Sequence, residues 1–211
     1  KTQNIQTLIS CIGRRLSQPN IPMKPEIIEG RHTELKQQKQ NIFKPVTEKP
    51  SDFEGNIHKA AREGKLSSVQ YLIEQCNVSV EAKSYEERTP LHNASIKGHI
   101  EIFKYLIEQY HANVEAKDNM GLTPLHVASA NWCINAVKYL IEQCHANVEM
   151  KDNQGKTTLH WASDIGEIEV VKYLIEECHA NVKAKTNSDQ TPLDIASGKN
   201  GRREYLQNCS Q

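Results

Sequence analysis

The sequence predicts an all-α repeat solenoid: stacked helix-turn-helix units with β-hairpin-like finger loops, preceded by an N-terminal helical or poorly ordered arm. Three observations predict it. One phrase recurs every 34 residues, as Thr89-Pro90-Leu91-His92, Thr123-Pro124-Leu125-His126, Thr157-Thr158-Leu159-His160 and Thr191-Pro192-Leu193-Asp194. Lys-Tyr-Leu-Ile-Glu, starting at Lys104, Lys138 and Lys172, keeps the same period, and so does His-Ala-Asn-Val, starting at His111, His145 and His179. Finally, 37% apolar residues and a mean hydropathy of −0.65 suit a thin, elongated core better than a thick globular one. A fixed period of this length marks small supersecondary units that bury their apolar faces against neighbours.

Taken in order, residues 1–50 form an arm and linker with one or two possible helices. Ile5, Leu8, Ile9, Ile12 and Leu16 share one helical face, Pro19, Pro22 and Pro25 break the chain, and 27–43 has room for a second helix. The arm reads as a helix or loose segment against the first unit, or as a docking helix. Residues 51–211 divide into units of approximately 51–83, 84–117, 118–151, 152–185 and 186–211. In the unit at 84–117, Thr89 can cap a free N–H of a first helix. Pro90 sits where its missing donor had no partner, and Gly98 ends the helix left-handed. A second helix runs from about His99 to Tyr110, with Ile100, Phe103, Leu106 and Ile107 at helical spacing. Residues 111–121 then read as an extended segment with a tight turn. The first unit lacks Thr-Pro, with Asp52 expected to cap its helix. In the last, Asp194 replaces the motif histidine and Arg202, Arg203, Glu204 and Gln207 make the second helix polar. Polar outer faces are what terminal units need. The alternative is an array that continues beyond Gln211 in a longer parent chain.

Thr-Pro-Leu-His-x-Ala, the Gly-His after the first helix, and Val-Lys-Tyr-Leu-Ile-Glu with Ala-Asn-Val-Glu-Ala-Lys-Asp together resemble the ankyrin repeat. The resemblance is strong over about 84–197 and weaker over 52–83 and 198–209. A period of 34 also fits tetratricopeptide repeats, but their Trp/Gly/Tyr/Ala/Phe/Pro pattern is absent. The resemblance implies a protein-binding scaffold without catalysis, in which His92, His126 and His160 bond the motif threonine and adjoining backbone.

Formal charge is zero overall but uneven. Residues 1–50 carry nine Lys/Arg against four Glu, or +5, which leaves −5 for the repeats. No apolar run approaches the roughly 18–20 residues of a membrane span, and no secretory signal is visible. Cys76, Cys144 and Cys178 share one slot of different units, and stacked helices roughly 8–10 Å apart are too far for disulfides. Reduced thiols point to an intracellular, cytoplasmic protein. Cys144-His145, Cys178-His179 and His111 superficially suggest zinc, but equivalent residues of neighbouring units cannot converge within about 2.3 Å of one point. No phosphate loop, nucleophile elbow, His-Glu-x-x-His or Cys-x-x-Cys is present. No cofactor or metal is expected. The pairs Lys104/Glu108, Lys138/Glu142 and Lys172/Glu176 read as a solvated, salt-bridged face.

Comparing the units with one another locates a surface. The second helix and following segment barely vary, whereas the finger tips and the exposed side of the first helix do. The varying positions are Tyr85, Glu86 and Arg88; Asn119, Met120 and Leu122; and Asn153, Gln154 and Lys156 at the tips. On the first helices they are Asn93, Ile96, Val127, Asn131, Trp161 and Ile165, and Trp132 replaces a turn glycine. A constant scaffold beside a variable surface predicts recognition of one irregular protein partner, and the resemblance to ankyrin repeats implies that it binds through the finger tips and the concave helix face. Tyr85, Met120, Trp132 and Trp161 are expected to be exposed anchors lining one groove. Nucleic acid, membrane insertion and a small-molecule substrate are not expected. The alternatives are docking of a regular polymer along the constant outer helices, or substrate recruitment for a larger enzyme.

Overall fold

The computed structural model describes residues 45–196 and 201–209, so the helices expected at 5–16 and 27–43 and the cysteine at 11 lie outside the described residues. Among the described residues there are ten helices and no strand. They pair as α1 (Ile57–Glu63) with α2 (Leu66–Glu74), α3 (Pro90–Ser95) with α4 (Ile100–Lys104), and α5 (Pro124–Ala130) with α6 (Ile134–Glu142). The series ends with α7 (Thr158–Asp164) and α8 (Ile168–Glu176), then α9 (Pro192–Ile195) and α10 (Arg202–Cys209). First helices pack on first helices and second helices on second helices. The core is therefore a column, with Leu91, Leu125 and Leu159 stacked beside Ala94, Ala128 and Ala162, and Leu106, Leu140, Leu174 and Leu206 behind them, all at most 1% exposed.

The repeated phrase sets both the helix starts and the joints between units. Thr89 and Thr123 accept the N–H of His92 and His126 three residues on, so each caps its helix. The imidazole returns the bond: Nδ1 of His92 accepts the Thr89 N–H at 3.2 Å. That fixes the tautomer, leaving Nε2–H to donate to the Leu122 carbonyl of the next unit at 2.9 Å. His160 does the same toward Gln190 at 3.1 Å, whereas His126 reaches Met150, at the end of its own unit, at 3.0 Å. Burial holds His92 and His126 neutral, with pKa pushed down to about 4. In the last unit the Asp194 carboxylate accepts from the Thr191 N–H at 2.8 Å, which lowers its pKa. It caps its own helix but has no proton to pass onward.

Further ladders follow the same period. Lys83, Lys117 and Lys151 each donate to the carbonyl 34 residues ahead, at 2.9–3.0 Å. Glu81, Glu115 and Glu149 accept the N–H of Asn113, Asn147 and Asn181 at 2.7 Å. On the second helices the hydroxyls of Tyr105, Tyr139, Tyr173 and Tyr205 donate to Glu74, Glu108, Glu142 and Glu176 of the preceding unit. This corrects the expected i, i+4 ion pairs. The glutamates serve the next unit's tyrosines, Lys104 pairs with Glu101, and Lys138 and Lys172 lie over the rings of Tyr173 and Tyr205 at 5.2 and 5.6 Å. The geometry favours these partners because stacking brings the neighbouring helix as near as the next turn.

Other details also depart from expectation. Asn56, not Asp52, caps α1, accepting from the N–H groups of His58 and Lys59; Asp52 lies in a turn well before the helix starts. The second helix of the 84–117 unit widens to π-type bonding over Tyr105–Gln109. This unit carries Tyr110 where others have cysteine, and its ring packs edge-on against Tyr105 at 5.3 Å. Ile102 and Tyr105 are buried there while Ile100 and Ile107 are half-buried, because neighbours flank the helix on two sides. Arg202 is not a polar cap residue. It is 4% exposed, and its guanidinium donates to the carbonyls of Ser163, Asp164 and Gly166 at the end of α7. Residues 45–55 form a strap over α2: the Val46 N–H meets Glu74 and the Glu54 N–H meets Ser68. Phe53 packs edge-on against Tyr71 at 5.5 Å.

Candidate functional site

Each finger is shaped by one acceptor at its base. Asp118 takes the N–H groups of Met120 and Leu122, both at 2.9 Å, and Asp152 those of Gln154 and Lys156 at 2.8 Å. Ser84 and Thr186 hold the same slot for the outer two fingers. Two backbone bonds close each tip, such as Asp118 N–H to the Leu122 carbonyl and Gly121 N–H to the Asp118 carbonyl, too few for a strand ladder. Adjacent fingers then join, with the N–H of Asn119, Asn153 and Asn187 donating to Glu86, Met120 and Gln154. Gly121 has φ +79°, and a Cβ there would stand 2.4 Å from the Asn153 amide oxygen. Glu87 occupies the equivalent slot at φ +58°.

Behind the fingers, the first helices line two adjoining hollows. One, of about 320 Å³, is bounded by Met120, Trp161, Ile165, Ile96 and Arg88, with Leu122 and Val127 as its floor. The other is built around Trp132 and Lys97 and shares Ile96, Ala130, Asn131 and Ile165 with the first. Three large apolar side chains stand exposed here: Trp132 at 61%, Ile165 at 48% and Met120 at 43%. Trp132 keeps the left-handed turn of the glycine it replaces, with φ +66°, where a bulky residue is a genuine outlier. Its indole N–H donates to the Ile165 carbonyl, just past the end of α7.

The predicted site residues separate into groups. Met120, Trp161, Ile165, Ile96, Asn131 and Arg88 share the first hollow, while Leu122 and Val127 beneath it are only 6% and 4% exposed. Trp132 belongs to the second hollow, and Tyr85, fully exposed at its finger tip, lines neither. The four expected anchors therefore do not share one groove wall. Trp161 is half-buried rather than exposed, with its indole N–H on Asp152 at 3.0 Å and the Lys156 ammonium 4.7 Å above its ring. Lys156 also pairs with Asp164, and Arg88 bridges Glu86 and Asp118. Asn93 bonds the Thr89 carbonyl. Asn119 and Asn153 are joined side chain to carbonyl, and Gln154 gives its carbonyl to the next finger, so these tips are tied into the stack. Sequence comparison missed Arg62, which lines the first hollow. The signal was present: Arg62 stands one period before Ile96, in a terminal unit whose missing Thr-Pro hides the alignment.

His111, His145 and His179, which superficially suggested zinc, end the second helices in the left-handed conformation at φ +53° to +55°. Among the described residues no cluster of His, Cys, Asp or Glu is placed to hold a metal, and no helix is long and apolar enough to cross a membrane. Burial raises the pKa of the Cys133, Cys144 and Cys178 thiols, opposite to the change that activates a nucleophile. A family model described as ankyrin repeats (3 copies) matches residues 57–152 and 134–207. No curated protein matches the chain.

Proposed function

Because the chain belongs to the ankyrin-repeat family, whose members are generally protein–protein interaction modules and typically non-catalytic, we propose that it binds one protein partner across the hollows behind its middle fingers. The observation that carries this reading is Trp132. A left-handed tryptophan is strained by roughly 1–2 kcal/mol, yet the ring it projects is 61% exposed and covers little of the core. Strain of this kind concentrates at contact sites. Ile165 in the same hollow, and Met120 in the adjoining one, extend an apolar surface of the composition that anchors interfaces.

The constant second helices argue for the same face. Their tyrosines, glutamates and lysines are engaged in joining units, so stacking alone accounts for their constancy. A partner docked along them has no feature left to explain. The test is a double variant, Met120→Ala with Trp132→Gly, in a binding assay against a partner recovered from the native cell. We expect affinity to fall by a factor of ten or more with the thermal midpoint nearly unchanged. Unchanged affinity would place the partner elsewhere.

A further inference from the structure

The groove is polarised. A third hollow, lined by Lys59, Arg62, Glu63, Lys97 and His99, joins the first through Arg62 and the second through Lys97. The surface is thus basic across α1 and α3 and apolar across α5 and α7. The basic end is not a consequence of bulk charge, since residues 51–211 hold 17 Lys/Arg against 22 Asp/Glu. Nor is it neutralised locally. Among the described residues Glu63 is held by Lys59 and Lys65 and Glu54 by Lys59, while Arg62 and Lys97 are exposed and in no ion pair. Near the apolar end the carboxylates are already engaged, Asp152 with the Trp161 indole and Asp164 with Lys156.

Resting on the reading above, we infer that the occupant is an acidic protein segment: carboxylates facing Arg62 and Lys97, and a bulky apolar residue against Ile165, where the hollow of Met120 adjoins that of Trp132. Two unit steps of roughly 8–10 Å separate Lys97 from Ile165. An extended chain rising about 3.3 Å per residue covers them in five or six residues. The apolar residue supplies the anchor, and the charges steer the encounter and set its direction along the stack.

The test is selection of a random-peptide display library on the immobilised full chain. The recovered peptides are then titrated against the wild type, the Arg62→Glu/Lys97→Glu variant and the Trp132→Ala/Ile165→Asp variant, each confirmed folded by thermal melting. We expect selected sequences to pair an acidic run with a bulky apolar residue about five positions away. Affinity should fall at least tenfold in either variant and weaken with salt. Neutral or basic sequences lost only by the Trp132→Ala/Ile165→Asp variant would overturn the acidic occupant and leave the groove standing. Sequences insensitive to both variants would overturn the groove as well. A single-stranded oligonucleotide or phosphatidylserine vesicles displacing the acidic peptides at equal concentration would show that the basic end selects no protein segment.

Discussion

Trp132 and Thr158 each depart from the repeat for opposite physical reasons. Trp132 sits in the slot of Gly64 and Gly98 and keeps their backbone conformation. Replacing it by glycine removes the strain of a left-handed bulky residue but also the bond to the Ile165 carbonyl. These terms are of similar size. Trp132→Gly should therefore move folding stability by less than about 1 kcal/mol while removing an exposed anchor, a separation that chemical denaturation and a binding titration would show. Thr158 stands where three other units have Pro90, Pro124 and Pro192. Its hydroxyl is buried and finds no hydrogen-bond partner among the described residues. Proline at this first helical position fits the backbone and restricts the unfolded chain. Thr158→Pro should raise stability by about 1 kcal/mol, seen as a higher midpoint in urea.

At the scale of the helix, the buried histidines make folding sensitive to acid. Above about pH 6.5 the imidazoles are neutral in both states and contribute no slope. Below it the unfolded chain takes up protons that folded His92 and His126, with pKa about 4, refuse. Stability should fall as pH drops from 6.5 toward 4, by up to about 3 kcal/mol for each histidine. Thermal melts at stepped pH measure the fall, and His126→Gln, less stable at neutral pH, should lose less on acidification. Arg202 is the other helix-end device, closing the carbonyls of α7 with one buried guanidinium. Arg202→Ala should cost about 1–3 kcal/mol through the unpaired acceptors, with the last two units loosening first in hydrogen exchange. The N-terminal strap covers α2 by different means, bonding the Glu74 and Ser68 side chains and packing Phe53 on Tyr71.

At the scale of the whole array, the period told the fold because each unit is a local device copied down the chain. The threonine caps act within one unit, and the core leucines and turn glycines recur at the period, so the residues name them directly. What the sequence hid is what crosses between units. The tyrosine–glutamate bonds at a separation of 31 residues look like intrahelical ion pairs until the stack is built. Arg202 likewise reads as surface until its reach of 36 to 39 residues is known. The hollow was legible only in part. Exposed apolar side chains could be picked out by comparing units, but Trp161 turned inward to Asp152, and Arg62 stands in a terminal unit outside the comparison of varying positions. Such a stack divides its residues between holding units together and meeting a partner.

That division is tested most directly by photo-crosslinking in the native cell. A photoreactive amino acid is placed in turn at Trp132 and Ile165 on the first-helix face, and at Lys104 and Glu101 on the second helices. Capture of one discrete protein from the first pair and none from the second is the predicted result; capture from the second helices alone would contradict it.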